Sequence, residues 1–188
     1  MRTLARASLL AACLLAPFSI AADEVEDGIQ AALDAYRAGD VALAKEELEF
    51  AVQLLTQAKA QDLAGFLPPA MEGWSQEIED SQAMTGLFGR GILASARYAK
   101  PDGTALTVRL MADNPMFASM AAMFGNAQAM GAMGKMIRVG RQKAVLTGDG
   151  RIHALVDGRV MVIVEGDAPD DDKIAYFSAM DFTALSGL

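Results

Sequence analysis

A stretch of 21 residues, 114–134, most constrains the fold because it contains neither a charged nor a β-branched side chain. It holds five of the chain's 12 methionines, and a sixth, Met136, follows two residues later. Because β-branched residues favour strands, their absence favours a helix, and a helix without charge must be covered or must bind something. Methionine fills irregular apolar gaps, adapts to varied apolar partners and ligates soft metal ions. Three kinds of protein are therefore compatible with this stretch.

The stretch predicts one helix that starts at Pro115, a residue suited to a first helical turn, with Asp113 or Asn114 as its cap. At about 100° per residue, the methionines fall on one stripe, which comprises Met116, Met120, Met123, Ala127 and Met130 and is flanked by Phe117 and Phe124. Small side chains form the opposite face: Ala118, Ala121, Ala122, Gly125 and Ala129. Gly131 and Gly134 predict the end of the helix before a strand near Met136.

Three interpretations of this helix remain open. In the first, the large side chains are core over a sheet. In the second, they form an adaptable surface for a lipid, an apolar peptide or another subunit, and peripheral membrane contact is compatible with it. The contact residues would be Met116, Phe117, Met120, Met123, Phe124 and Met130. In the third, thioethers one turn apart bind Cu(I), with His153 as a further ligand. The ligands would be Met116, Met120, Met123, Met130, Met133 and Met136.

Residues 1–21 have the anatomy of an export signal, with Arg2 and Arg6 before an apolar stretch and small residues at the predicted cleavage site after Ala21. This predicts an exported, periplasmic protein. A second interpretation is that residues 10–13 form a lipoprotein box, which would tether the chain to a membrane through Cys13. Because the apolar segment continues beyond Cys13, we favour ordinary cleavage. The mature chain would then contain no cysteine, and therefore no disulfide or thiol nucleophile.

The mature chain would be acidic and its charge unevenly distributed. Without Arg2 and Arg6 it has 14 basic and 24 acidic residues, a net charge of −10, which argues against non-specific nucleic-acid binding. Residues 23–62 contain ten acids and three bases, whereas residues 135–159 contain six bases and two acids. The two regions are either ordinary solvated faces, or surfaces that attract one another or an anionic partner.

Residues 24–66 predict a hairpin of two helices, with Gly39 ending the first helix and Asp40 capping the second. The pattern resembles a tetratricopeptide unit, and the residues that carry the resemblance are Tyr36, Gly39, Asp40, Ala44, Leu48, Ala51 and Val52. The resemblance implies close antiparallel packing of two helices. It covers about a quarter of the chain, and Thr56 stands where the family has a helix-ending proline. Because stacked arrays need about three units, the resemblance does not carry peptide binding to this chain.

The rest of the chain, which resembles exported bacterial proteins of unassigned function, predicts an α+β domain over residues 76–188. Residues 67–75 form a corner, in which Trp74 is expected to anchor the chain to the core. Strands are predicted at 92–100, 104–111, 136–139, 143–147, 151–156 and 159–165, with residues 160–164 covered on both faces. Asp170, Asp171 and Asp172 begin a closing helix. We summarise the order as β-β-α-β-β-β-α, an antiparallel sheet with packed helices and a docked N-terminal hairpin.

No catalytic constellation is evident. His153 is the single histidine, and no serine lies in a nucleophile-elbow motif. Residues 86–91 have the glycines of a phosphate loop but lack its lysine, and the three aspartates at 170–172 lack the spacing of a calcium loop. The sequence therefore predicts an exported, non-enzymatic binding or scaffold protein whose methionine-rich segment contacts an apolar ligand, a lipid or a protein. The alternative is a periplasmic Cu(I)-binding protein.

Overall fold

A computed structural model describes residues 19–84 and 91–187. The predicted signal segment up to residue 18, with Cys13, and residues 85–90 of the glycine-rich loop lie outside the described residues. The chain divides into two compact units, and the division falls between Leu54 and Leu55.

The predicted hairpin consists of helices α1 (Ser19–Arg37) and α2 (Val41–Ala64), and the first unit contains α1 and the part of α2 up to Leu54. Gly39 takes a positive φ of 83° in the turn, a conformation that glycine adopts without steric cost. The Asp40 carboxylate accepts a hydrogen bond of 3.0 Å from the Leu43 N–H, so the predicted cap is confirmed. Small residues line the contact between the helices: Gly28, Ala32, Ala35, Ala44 and Ala51.

The second unit is a seven-stranded antiparallel sheet, which confirms the predicted α+β class. The strands are β1 (Ser75–Met84), β2 (Gly91–Ala99), β3 (Ala105–Ala112), β4 (Gly134–Val139), β5 (Gln142–Thr147), β6 (Ile152–Val156) and β7 (Val160–Gly166). Their order across the sheet is β1-β2-β3-β7-β6-β5-β4. Two meanders therefore meet where β3 pairs with β7. The helices are α3 (Met116–Gly125), α4 (Ala127–Met133), α5 (Asp170–Ser178) and α6 (Phe182–Leu185).

The four strands after the methionine-rich segment correspond to the four predicted ranges, although the summary order β-β-α-β-β-β-α counts only three. The strand that the sequence did not predict is β1, an edge strand whose sequence is mostly polar. Its only large branched apolar residue, Ile78, is 57% exposed, and none of the side chains described in this strand, residues 75–79, is buried. Backbone pairing with β2 holds it in place, with an irregularity in register between Glu79 and Gln82.

Apolar cores cover both faces of the sheet. On the first face, the end of α2 and helices α5 and α6 pack on the sheet through residues such as Leu63, Phe177 and Leu185. On the second face, α3 and α4 pack over a smaller cluster. Strand β7 contributes Val162 to the first face and Met161 to the second. The prediction that residues 160–164 are covered on both faces is therefore confirmed.

The predicted corner is anchored by aromatic side chains. The Trp74 ring meets Tyr176 edge-on, with ring centroids 5.4 Å apart, and Lys100 Nζ lies 4.6 Å from the Trp74 ring centroid. The buried Tyr98 hydroxyl donates a hydrogen bond of 2.5 Å to the carbonyl of Pro68. Burial raises the pKa of Tyr98 to about 12. These contacts confirm that Trp74 belongs to the packed structure of the corner.

Candidate functional site

The methionine-rich segment forms two helices instead of the single helix that periodicity predicts. Asn126 has an extended backbone (φ −99°, ψ 113°), and its side-chain oxygen accepts hydrogen bonds from the N–H groups of Gln128 and Ala129. An asparagine that caps the next helix cannot also continue the previous one, so the chain bends there. At the start of α3, the Asn114 side chain accepts a hydrogen bond of 2.9 Å from the Met116 N–H.

The buried side of the two helices is also rotated from the predicted stripe. Phe117 and Phe124 are buried on α3, with Met120 and Ala121 partly buried beside them. On α4, Met130 is fully buried. These side chains pack against three residues of the second sheet face: Val145, Leu155 and Met161. Part of the segment is thus core, as the first interpretation expects. On α3, however, the buried residues are Phe117 and Phe124 and not the predicted methionines.

Three methionines reach the surface, whereas Met133 is partly buried against the second-face cluster. Met116 is 49% exposed, Met123 37% and Met136 42%. The small residues predicted to need a cover are largely open: Ala118, Ala122 and Gly125 are exposed, Ala121 and Ala129 only partly so. From residue 114 to residue 134 this outer surface carries no charged side chain. We call the exposed part of α3, α4 and Met136 the methionine surface.

A basic margin lies beside the methionine surface. Met136 pairs in register with Val145 of the second-face cluster, so its side chain belongs to that face of edge strand β4. Two residues further along, Arg138 pairs with Lys143, and both are exposed. Side chains two residues apart on a strand share a face at about 7 Å spacing. Two cations therefore border Met136. The excess of basic residues in the sequence indicates a basic region here, but it does not show that two of them lie beside Met136.

The proposed Cu(I) ligands are divided among three elements. Met116, Met120 and Met123 lie on α3, Met130 and Met133 on α4, and Met136 on β4. Met130 is fully enclosed by apolar side chains, so a metal ion at its sulfur would displace packed atoms. Among the described residues there is no group of three or more histidine, cysteine or acidic side chains suited to a metal ion.

A polar row that includes His153 crosses the second sheet face. The backbone register aligns Glu79, Ser95, Arg109, Ile163 and His153 on successive strands. Ser95 donates to the Glu79 carboxylate, and Arg109 pairs with Glu165. Three strand spacings separate Ser95 from His153, about 14 Å, which is too far for proton transfer between their side chains. Burial lowers the pKa of His153, and nearby Asp149 and Glu165 partly offset this effect.

The three aspartates at 170–172 occupy the first turn of α5, as predicted. Asp172 pairs with Lys100 at 2.8 Å, and Asp170 pairs with the buried Lys173 at 3.1 Å. These ion pairs and the helix N-terminus account for their position without a bound cation.

Searches with protein-family models, against curated proteins and against solved structures found no match. Within the described residues, no helix is long and apolar enough to cross a membrane.

Proposed function

We propose that this chain is an exported, non-enzymatic binding or scaffold protein that holds an apolar partner, a lipid or a protein segment, on its methionine surface. The observation that carries the proposal is the outer surface of a 21-residue segment, 114–134, that has no charged side chain, in a protein in which 21% of residues are charged. Helices that lie on a sheet and face water normally carry charged residues on the outer side. Thioether side chains can repack against varied apolar shapes.

The buried anchors support a binding role because they make the exposed methionines unnecessary for folding. Phe117, Phe124 and Met130 already attach α3 and α4 to the sheet. Met116 and Met123 are each more than one third exposed, so the attachment of α3 to the sheet does not depend on them. The adjacent Arg138 and Lys143 favour a partner with anionic groups beside its apolar part.

The proposal is tested with protein that carries ¹³C-methyl methionine, read by NMR after assignment with single Met→Leu variants. Three probes are titrated: vesicles of phosphatidylethanolamine and phosphatidylglycerol, decanoate, and a soluble extract of the compartment to which the protein is exported. We expect at least one probe to shift the methyl signals of Met116, Met123 and Met136 while that of buried Met130 stays unchanged. If none of the three probes moves the exposed methyl signals, the binding role of this surface is wrong.

Matched variants separate this surface from other exposed apolar residues. The double variant Met116→Gln/Met123→Gln removes two exposed apolar side chains from α3. Ile78→Gln removes one that is 57% exposed on edge strand β1. We expect the double variant to lose binding of the responding probe at least 10-fold, and Ile78→Gln to retain it. Equal losses in both variants would mean that binding is non-specific.

Cu(I) binding is a second candidate, restricted to the three methionines of α3. Met116 and Met123 are seven positions apart, about 10 Å along the helix, with Met120 between them, and none of the three is fully buried. Titration of Cu(I) against a competing chelator tests this candidate. It predicts tighter binding by the natural chain than by the variant Met116→Leu/Met120→Leu/Met123→Leu, and equal affinities would end it.

A further inference from the structure

The helical hairpin buries only small residues between its helices. Among residues 23–54, those that are buried are Gly28, Ala32, Ala35, Ala44 and Ala51. A Cβ added at Gly28 would lie 3.4 Å from the Ala51 Cβ, so the helices are in close contact at this point. Because burial of alanine contributes much less than burial of leucine or phenylalanine, this contact supplies little of the free energy that two helices need.

The large apolar side chains of the hairpin are exposed instead. They comprise Ile29, Leu33 and Tyr36 on α1 and Val41, Leu48 and Val52 on α2, with exposed fractions of 40% to 66%. At 100° per residue, each set lies to one side of the alanine contact. Because the two helices are antiparallel, the two sets face the same side of the hairpin. We call these six residues the hairpin face. Leu43 and Phe50, also exposed, lie on the opposite side of α2.

The spacing on this face is that of a helical bundle. On α1, the three residues are separated by four and then three positions, and on α2 Leu48 follows Val41 by seven and precedes Val52 by four. A repeat of about 3.5 residues keeps side chains in line with another helix packed alongside. The face is also two helices wide, so a pair of helices would cover it fully.

Acidic side chains are arranged around this face instead of on it. Asp27 and Asp34 project more than about 120° away from the face on α1, and Glu46 and Glu47 do so on α2. Glu26 and Glu49 stand at the margins, and Glu49 pairs with Lys45 at 3.4 Å. Two copies of so acidic a chain repel one another over most of their surface. A large patch without acids is therefore where identical chains can meet.

We propose that two copies of this chain pair through the hairpin face and form a four-helix bundle. A two-fold interface needs only one self-complementary patch, and this face has the same apolar character on both helices. Six half-exposed large side chains leave roughly 500 Å² of apolar surface per chain, and a stable interface buries about 800 Å² per partner once the flanking atoms are counted. The six side chains thus supply more than half of the area that a dimer needs, and the atoms that flank them would supply the rest.

Sedimentation equilibrium of the mature chain at concentrations from about 1 to 100 μM tests the proposal. We expect a dimer for the natural sequence. The variants Leu33→Lys and Leu48→Lys each place two cations, one from each copy, in the apolar interface of the dimer. Each should raise the dimer dissociation constant more than about 100-fold. Leu43→Lys is the matched control, since Leu43 is 43% exposed on the other side of α2, and it should leave the dimer intact.

Each other outcome overturns the proposal. A natural chain that stays monomeric at about 100 μM would show that no second copy covers the face. A dimer that persists in Leu33→Lys and Leu48→Lys, or one that is lost equally in Leu43→Lys, would place the interface elsewhere. Circular dichroism of every variant shows whether the helices remain folded.

Discussion

The central prediction concerns Met130 and Met123, two methionines of the same segment with opposite environments. Met130 is fully buried among Phe117, Phe124 and the second sheet face, whereas Met123 is 37% exposed. Replacing a buried methionine with alanine removes its burial and leaves a cavity, which costs about 2–5 kcal/mol. Replacing Met123 removes little burial and introduces the best helix former, so its cost should stay below about 1 kcal/mol. The two variants should therefore differ by at least about 1 kcal/mol.

Urea unfolding followed by Trp74 fluorescence measures this difference. Trp74 packs on Tyr176 within the unit that contains both methionines, so its signal reports the unfolding of that unit. With a slope of about 2 kcal/mol per M urea, in the middle of the typical range, the midpoint of Met130→Ala should fall by roughly 1–2.5 M, and that of Met123→Ala should move much less. Met130→Leu conserves most of the volume and should cost less than about 1.5 kcal/mol. Equal midpoints for Met130→Ala and Met123→Ala would refute the division of this segment into core and surface.

Three further predictions follow from single contacts. Asn126→Ala removes the cap of α4 and should lower the free energy of unfolding by about 1 kcal/mol, measured by urea unfolding. Tyr98 has its folded-state pKa raised from 10.0 to about 12, so the stability it contributes is present below pH 10 and is lost as the pH rises towards 12, by about 1.4 kcal/mol per pH unit. The Tyr98→Phe variant should lack this alkaline loss. His153 has a folded-state pKa below 6.5, so the unfolded state takes up its proton first and stability should fall as the pH drops below 6.5, a dependence that His153→Gln should reduce in acid-range unfolding curves.

The sequence predicted those elements in which buried and polar residues alternate or turns carry specific residues. Strand β2 buries Ile92 and Tyr98 on one face, and the turn at residues 101–103 follows from its proline and glycine. The cap at Asp40 is a local interaction and could be read from the sequence in the same way. Edge strand β1 could not, because backbone hydrogen bonds to β2 hold it and its side chains are mostly polar.

The methionine-rich segment was harder to interpret because no charged residue marks its outer side. Helical periodicity alone is then compatible with several rotations of the helix about its axis. The positions of the methionines favour the rotation that puts Met116 and Met123 at the centre of the buried side. Packing selected Phe117 and Phe124 instead, since these rigid rings fill the space over Leu155 and Met161. Asparagine is a common N-cap residue, but whether Asn126 ends a helix depends on contacts beyond the local sequence.

The two apolar surfaces differ in what lies beneath them, and this difference indicates how each should behave. The methionine surface rests on Phe117 and Phe124, which are anchored in the sheet core, so a partner can leave without exposing that core. The hairpin face rests on a contact of alanines such as Ala32 and Ala51, so the hairpin lacks large buried side chains of its own. A partner on the first surface should therefore exchange with little effect on unfolding. Separation of the proposed dimer should instead lower the stability of the hairpin itself, which makes helix content depend on protein concentration.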